Sequence, residues 1–308
     1  MISILMATFN GEKFIAEQID SVLNQSVKEF KLIIRDDAST DNTFTIAKTY
    51  AKKHPDKITA IQNKKNSGSS KYNFIGMMTE IKDEYIMLCD QDDVWLPDKI
   101  EKTLAKITEL EQKHGKDTPL LVHTDLTVVD ANLNVVSKSF KKAMNANYKK
   151  TKLRNQVIQN TLTGCTAMYN RALAMLLDTT PGYMIMHDWW LILTAAAFGK
   201  IKAIDGQTVL YRQHTENEIG AKDVRTVRYK LDRVRHSNDV REAINITYKQ
   251  AKSFLEIYSD RLSEPQRHLL TLYADIPNHN KIVRIYRIFR LGTHKNGFSR
   301  RVAHLMYI

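Results

Sequence analysis

Glycine, proline and cysteine are scarce, at 11, 6 and 2 of 308 residues. Two cysteines, Cys89 and Cys165, make neither a disulfide framework nor a thiolate metal knuckle, which agrees with a reducing compartment. They read as small buried hydrophobes. The sequence contains no G-x-G-x-x-G and no G-x-x-x-x-G-K-[ST]. Neither a dinucleotide fingerprint nor a P-loop is therefore supported, and any phosphate must be held in another way. No apolar run approaches the roughly 18–20 residues that span a bilayer; Leu191 to Phe198 reaches about half of that. The opening residues Met1 to Met6 carry no basic segment and read as a first strand, so no signal peptide is expected and the expected compartment is the cytoplasm.

Acidic residues are also absent beyond Asp275, whereas Lys281, Arg284, Arg287, Arg290, Lys295, Arg300 and Arg301 follow it. The net charge of +12 is thus concentrated at one end. Ile282, Val283, Ile285, Tyr286, Ile288, Phe289 and Leu291 interleave with these cations at helical spacing. Two readings stay open: a basic amphipathic helix lying on anionic lipid, or a surface helix whose apolar stripe packs on the main domain. A nucleic-acid partner is not expected, because no base-stacking or groove-reading motif accompanies the charge.

The hydrophobic share, 43%, suffices for a sizeable core. Ile2 to Ala7 reads as a strand, Thr8-Phe9-Asn10-Gly11 as a turn, and Phe14, Ile15, Ile19, Val22 and Leu23 as the apolar face of a helix. Phe30 to Ile34 and Ile58 to Gln62 are further strands. Each is followed by a polar loop and another helix, the first through Ile46, Ala47 and Tyr50, the second through Phe74, Met77 and Ile81. A fourth strand, Tyr85 to Leu88, runs into Cys89-Asp90-Gln91-Asp92-Asp93-Val94-Trp95. Alternating β and α units imply a parallel sheet with helices on both faces, and ligands bind at the carboxyl ends of such strands. Thr8 and Asn10, Asp36 and Asp37, Asn66 and Gly68, and Asp90 and Asp92 would then converge on one crevice.

Carboxylates crowded at a strand end repel one another unless a cation sits among them. Asp90 and Asp92, two positions apart, would point the same way if the strand geometry persists, and oxygen ligands of this kind suit Mg²⁺ or Mn²⁺ holding a phosphate. The plainer reading is a solvated acidic loop that caps the helix beginning near Pro97.

Further on, Leu120 to Asp125 reads as a strand, Leu126 to Val136 as a strand or hairpin turning at Asp130-Ala131-Asn132, and residues 137–155 as a basic mobile loop over the site. Thr161 to Asn170 reads as a strand with a bulge at Gly164. His187-Asp188-Trp189-Trp190 opens a helix, where Asp188 is either a carboxylate favoured by the helix dipole or a functional group. The three tryptophans flank the aspartate motifs as core anchors or as sugar-stacking platforms. Val209 to Arg212 is a strand leading to His214.

Residues 2–220 resemble the family-2 inverting glycosyltransferases. The resemblance rests on Thr8-Phe9-Asn10, Asp36-Asp37-Ala38-Ser39-Thr40-Asp41, Asn66-Ser67-Gly68 and Asp90-Gln91-Asp92-Asp93, with Trp95 and Pro97 behind. It implies a GT-A fold, an α/β architecture with a mostly parallel central sheet, helices on both faces and a C-terminal helical appendage. It also implies nucleotide-sugar binding by Thr8, Asn10, Asp36, Asp37, Asn66, Gly68, Asn73, Asp90, Gly164 and Arg212. Mg²⁺ or Mn²⁺ would be held by Asp92, Asp90 and His214, and Asp188 would be the catalytic base. His187 stands where many members carry glutamate. This His-Asp-Trp-Trp variant, with Tyr211-Arg212-Gln213-His214 and Asn217…Gly220, is most similar to bacterial rhamnosyltransferases of cell-surface polysaccharide synthesis.

The expected donor is then dTDP-rhamnose, with a UDP-hexose as the alternative, and the expected acceptor a glycan on a polyprenyl carrier. A sugar nucleotidyltransferase is a weaker alternative, since it normally opens with a glycine-rich basic loop that is missing here. A membrane-surface adaptor is weaker still, because the acidic motifs are intact. The expected organisation is a catalytic domain over 1–220 and a helical basic region over 221–308, peripheral at the inner face of the plasma membrane.

Overall fold

The computed structural model describes residues 1–214 and 237–308. The expected boundary at 220, the Asn217…Gly220 part of the last motif and the start of the helical reading near Asp223 lie outside the described residues.

The chain forms two compact units. The first comprises Met1–Phe140, Leu162–Thr180 and 199–214. Its strands, among the described residues, are β1 (Ile2–Thr8), β2 (Phe30–Asp36), β3 (Ile58–Gln62), β4 (Tyr85–Cys89), β5 (Val94–Trp95), β6 (Leu120–Val129), β7 (Val135–Ser137), β8 (Ala167–Asn170) and β9 (Lys200–Arg212). They make one sheet in the order β3-β2-β1-β4-β8-β6-β9-β5, with β7 on β6. The four N-terminal strands are parallel, as the alternating pattern requires. Their connecting helices are α1 (Ile15–Leu23), α2 (Thr43–Lys53) and α3 (Ser70–Glu80), and α4 (Lys99–His114) follows β5. Burial alternates along β2 and is complete along β1 and β4, whose residues sit at the middle of the sheet.

Register then aligns the strand ends. Thr8 pairs with Asp36, Asp36 with Gln62, and Met6 with Cys89, so every loop containing an expected donor-binding residue in this half leaves from one edge. The acidic turn after β4 re-enters the sheet at once through β5, which runs antiparallel to β9 with Val94 opposite Leu210 and Trp95 opposite Val209. That two-residue pairing brings the end of β9 against the acidic turn.

The second half differs from the sequence reading in several respects. Leu120 to Val129 is one continuous strand, and its hairpin turns where Asp130 Oδ1 accepts the amides of Asn132 and Asn134, both at 2.9 Å. β9 begins at Lys200, nine residues before the expected Val209 strand, because its outer half alternates partly buried and exposed residues and shows no apolar run. The expected bulge at Gly164 is a 3₁₀ turn, Gly164–Thr166, closed by the Thr166 amide on the Thr163 carbonyl at 2.9 Å. The stretch read as a mobile loop carries two one-turn helices, α5 (Phe140–Ala143) and α6 (Leu153–Gln156). A further single turn, α7 (Arg171–Ala174), follows β8.

The second unit comprises Lys141–Thr161, Pro181–Phe198 and 237–308. This division differs from an expected catalytic domain running through to 220, because α8 (His187–Phe198) packs with the C-terminal helices. Trp190 lies 5.2 Å from Phe254 and 6.1 Å from Tyr258 on α9 (Ser237–Tyr258), and Phe198 lies 5.3 Å from Tyr258. α10 (Glu264–Ala274) starts with a capping box between Ser263 and Gln266, and Gln266 Nε2 donates to the Ala197 carbonyl at the end of α8, 2.6 Å away. Two basic helices follow, α11 (Lys281–Leu291) and α12 (Phe298–Tyr307). No described helix is long and apolar enough to cross a membrane.

Burial pushes the pKa of His187 and of His304, on α8 and α12, down to about 3 each. Above pH 6.5 both rings are neutral whether the chain is folded or not. Below it only the unfolded chain takes the protons, so stability falls between pH 6.5 and 3, at most about 1.4 kcal/mol per pH unit for each ring. His304→Leu is expected to lessen that slope between pH 6 and 4, measured as urea unfolding at stepped pH.

Candidate active site

The first two loops are built by side chains. β1 ends at the buried Thr8, whose Oγ1 donates to Asp36 Oδ1 at 3.0 Å. The same carboxylate accepts Ser39 Oγ at 2.5 Å, the Ser39 amide at 2.9 Å and Gln62 Nε2 at 3.0 Å. Asp36 therefore acts within the loop, tying the ends of β1, β2 and β3 together. Asp37, 3% exposed, accepts Asn63 Nδ2 at 2.7 Å and both the amide and hydroxyl of Ser67, while Asn66 Nδ2 donates to its carbonyl at 3.1 Å. Asn66 and Gly68, expected as donor contacts, thus also shape the β3–α3 loop, with Gly68 at φ 91° where its amide meets Asn66 Oδ1. Asn73 stands behind this floor, its amide nitrogen donating to the Arg35 carbonyl at 2.8 Å.

Asn10 adopts φ 47° and Ala38 φ 59°, so both turns use the left-handed region without glycine. Asn10 Oδ1 accepts the Thr40 amide at 2.9 Å, and its own amide donates to Ser39 Oγ at 2.9 Å. Gly11 serves a different purpose: a Cβ there would lie 2.3 Å from Gln91 Oε1. Gln91 is the residue of the acidic turn that sequence reasoning passed over. Its amide exchanges two hydrogen bonds with the main chain of Phe9, both 2.9 Å, and joins the first turn to the fourth.

The carboxylates fall into two adjoining sets. Asp92 Oδ2 lies 2.7 Å from His214 Nε2. Asp90 and Asp93 each place an oxygen within 4.8 Å of the other and of Cys165 Sγ. Asp93 is buried, and burial first, then the charges of Asp92 and Asp90, drive its pKa well above the usual carboxylate range. Tyr211 is likewise pushed up by burial and then by the three aspartates. Burial, then the charges of Asp93 and Asp90, raises the Cys165 thiol, and the other donors of the two sets are carboxylate oxygens and one imidazole. That donor set fits a hard ion such as Mg²⁺ or Mn²⁺.

Two buried cations face this group. Arg212, 3% exposed, sits opposite the turn by the β5–β9 register. Its amide donates to Asp93 Oδ1 at 3.2 Å, its Nε to the Asp92 carbonyl at 2.8 Å, its Nη1 to the Ala131 carbonyl at 2.6 Å and its Nη2 to Glu17. The guanidinium therefore ties three segments to the end of β9: the acidic turn, the β6–β7 hairpin and α1. Phe14 is sandwiched here, 4.7 Å from the Arg212 guanidinium and 4.8 Å from the His214 ring. Lys99, at the start of α4, is fully buried with its ammonium 4.5 Å from the Trp95 ring centre. Burial lowers its pKa to about 8 while Cys165, Cys89 and Asp93 hold it up. Nothing in the sequence pattern marks Lys99 as buried, because lysine in the first turn of a helix ordinarily snorkels to water.

Of the tryptophans, Trp95 and Trp190 are core anchors, and Trp189 donates Nε1 to the Gln156 carbonyl at 2.6 Å. Gly164 lies in the turn that carries Cys165 to the acidic group. Asp188 is half-buried in the first turn of α8, in the second unit, beside the neutral His187.

Comparison with known proteins adds an independent line. EpsE of Bacillus subtilis (strain 168), a protein named as a glycosyltransferase, is 36% identical over 132 residues, 43% of this chain. The match spans about half of that relative, 47% of its length. The dTDP-rhamnosyl transferase RfbG of Shigella flexneri is 26% identical over 236 residues, 73% of this chain and 77% of its own. Among solved structures, the mannosyltransferase PcManGT from Pyrobaculum calidifontis, in complex with GDP-Man and Mn²⁺, superposes with a TM-score of 0.53 at 16% identity, over 99% of this chain and 85% of that one. The likeness is one of fold and supports the GT-A architecture. The model of the family "Glycosyl transferase family 2" matches residues 3–175, more than half of the sequence, and the chain belongs to that family.

Proposed function

We propose that this chain is an inverting, metal-dependent rhamnosyltransferase. It moves L-rhamnose from dTDP-β-L-rhamnose to a glycan acceptor on a polyprenyl carrier, in the synthesis of a cell-surface polysaccharide at the cytoplasmic face of the plasma membrane. The observation that carries the reading is the acidic turn at the end of β4, with Asp92 paired to His214 across the β5–β9 seam. The choice of sugar is supported by the likeness to RfbG across most of both chains.

In this reading Thr8, Asn10, Asp36, Asp37, Asn66, Gly68 and Asn73 form and floor the nucleotide pocket, with Asp37 nearest the base and Asp36 fixing the loop that presents it. Gly164 borders the sugar. Asp92, Asp90 and His214 hold the divalent ion, which when bound supplies positive charge to the donor diphosphate as it leaves. Arg212 acts on the diphosphate side by holding the acidic turn in place. Asp188 removes the proton of the acceptor hydroxyl as that oxygen attacks the anomeric carbon from the face opposite the diphosphate. One displacement inverts the centre, so a β-linked donor yields an α-L-rhamnoside.

Calorimetry with dTDP-rhamnose, UDP-glucose, UDP-galactose and UDP-N-acetylhexosamines, with and without Mn²⁺, tests the donor. Mn²⁺-dependent binding of dTDP-rhamnose is expected, binding of a UDP-sugar alone would reassign the donor, and silence across the panel would overturn the reading. Asp92→Ala is expected to weaken the Mn²⁺-dependent binding by more than the roughly ten- to hundredfold that loss of an outer-shell partner costs. Asp188→Asn is expected to leave the donor Kd within about twofold and to lower transfer to a polyprenyl-linked glycan about 10²- to 10⁴-fold, the usual contribution of a general base. Normal turnover by Asp188→Asn would remove Asp188 from the chemistry.

A further inference from the structure

The C-terminal helices leave an apolar surface open to solvent. On α11, Ile282 is 80% exposed and Tyr286 and Phe289 are 58% exposed each; on α12, Phe298 is 83% exposed, Met306 56% and Val302 39%. Large hydrophobes at this exposure, spaced i, i+4, i+7 on one helix and i, i+4, i+8 on the other, form one stripe per helix. The helices are tied together, since Lys281 Nζ donates to the Met306 carbonyl at 3.0 Å, so Ile282 and Met306 come from neighbouring turns.

The opposite sides of the same helices are already packed. Ile288 and His304 are buried. Arg284 donates to the carbonyls of His279 and Pro277 at 2.6 and 2.7 Å, Arg287 pairs with Asp275 at 2.7 Å, and Arg300 binds the Met144 carbonyl. Among the described residues nothing covers the outward stripes, which are open to an external surface. Its charge is set by composition: every charged residue from 276 to 308 is a cation, apart from the histidines. Asp275, the last acid, is itself paired with Arg287 and His279. Arg290 and Arg301 are exposed beside the stripes.

We propose that α11 and α12 together form a docking surface for anionic phospholipid, inserting Ile282, Tyr286, Phe289, Phe298, Val302 and Met306 to the headgroup level while Arg290, Arg301 and Lys281 meet the lipid phosphates. The inference deepens the membrane location in the function proposed above and rests on it only for its purpose. Exposed apolar stripes flanked solely by cations are the pattern of an interfacial helix. A second copy of the chain is a poorer occupant, because a two-fold interface would set each helix's cations against their own equivalents. The aromatic rings in the stripes agree with the lipid reading, since Tyr favours the interfacial zone and Phe the apolar face of an interfacial helix.

Co-sedimentation of the full chain with mixed phosphatidylcholine–phosphatidylglycerol vesicles, against pure phosphatidylcholine, tests this without any nucleotide sugar. Binding to the anionic vesicles alone, weakened by salt, is expected. Arg290→Gln and Arg301→Gln are each expected to lower the partition coefficient about fivefold, and about thirtyfold together. Phe289→Ser with Phe298→Ser, both at exposed positions, is expected to abolish binding while Mn²⁺-dependent donor binding by the same variant is unchanged. That second readout separates loss of the surface from failure of the transferase reading. Equal binding to both vesicle types, no binding to either, or a concentration-dependent dimer abolished by the same two serines would overturn the proposal.

Discussion

Three carboxylates within four positions, at the end of a fully buried strand, impose the constraint on which the first unit depends. Two ionised groups separated by about 4–5 Å repel by roughly 3–4 kcal/mol at an effective dielectric near 20, a large fraction of the net stability of a typical domain. The fold answers with structure on three sides. Asp93, the deepest, is pushed toward its neutral form by burial. Arg212 and His214 arrive from β9, and Lys99 closes the back. The short β5 strand makes this possible, because only an antiparallel return directly after Asp93 sets the end of β9 opposite the acidic turn.

The other loops at the same sheet edge follow a related logic. In place of a glycine-rich cradle, the chain fixes its loops with polar side chains that bond the main chain of their own or a neighbouring loop: Asp36 to Ser39, Asp37 to Ser67, Asn10 to Thr40, Gln91 to Phe9. Each bond crosses between or within the turns that follow parallel strands, so protein side chains themselves organise the edge. Where the accepting carboxylate is buried, as at Asp36 and Asp37, removing a donor leaves that oxygen short of a partner.

The second unit has a different character. Its core is aromatic, with Trp190 and Phe198 each packed on Phe254 and Tyr258, and its last two helices divide their residues by charge and exposure. The helical pattern of 281–291 was evident in the sequence, yet its apolar residues separate into a buried Ile288, half-buried Val283, Ile285 and Leu291, and exposed Ile282, Tyr286 and Phe289. A periodicity of 3.6 identifies a stripe; it does not tell which part of the stripe meets protein.

The sequence by itself determined the parallel β-α half and its strand ends, because apolar runs of five to seven residues, separated by turn-forming clusters and helical periods, leave few topologies. It also placed Thr8, Asp36 and Asp37, Asn66 and Gly68, and Asp90 and Asp92 at one sheet edge, whereas the grouping of Asp92 with His214 was implied by the family resemblance alone. The outer half of β9 escaped it, since that segment lacks an apolar run, as did the helical turns within 141–161. Only the tertiary structure decided that Asp36, Asp37 and Arg212 are occupied by protein partners, that Asp93 and Lys99 are buried, and that α8 with Asp188 packs among the C-terminal helices. Those outcomes depend on contacts between residues far apart in sequence, whose desolvation and geometry no local pattern encodes.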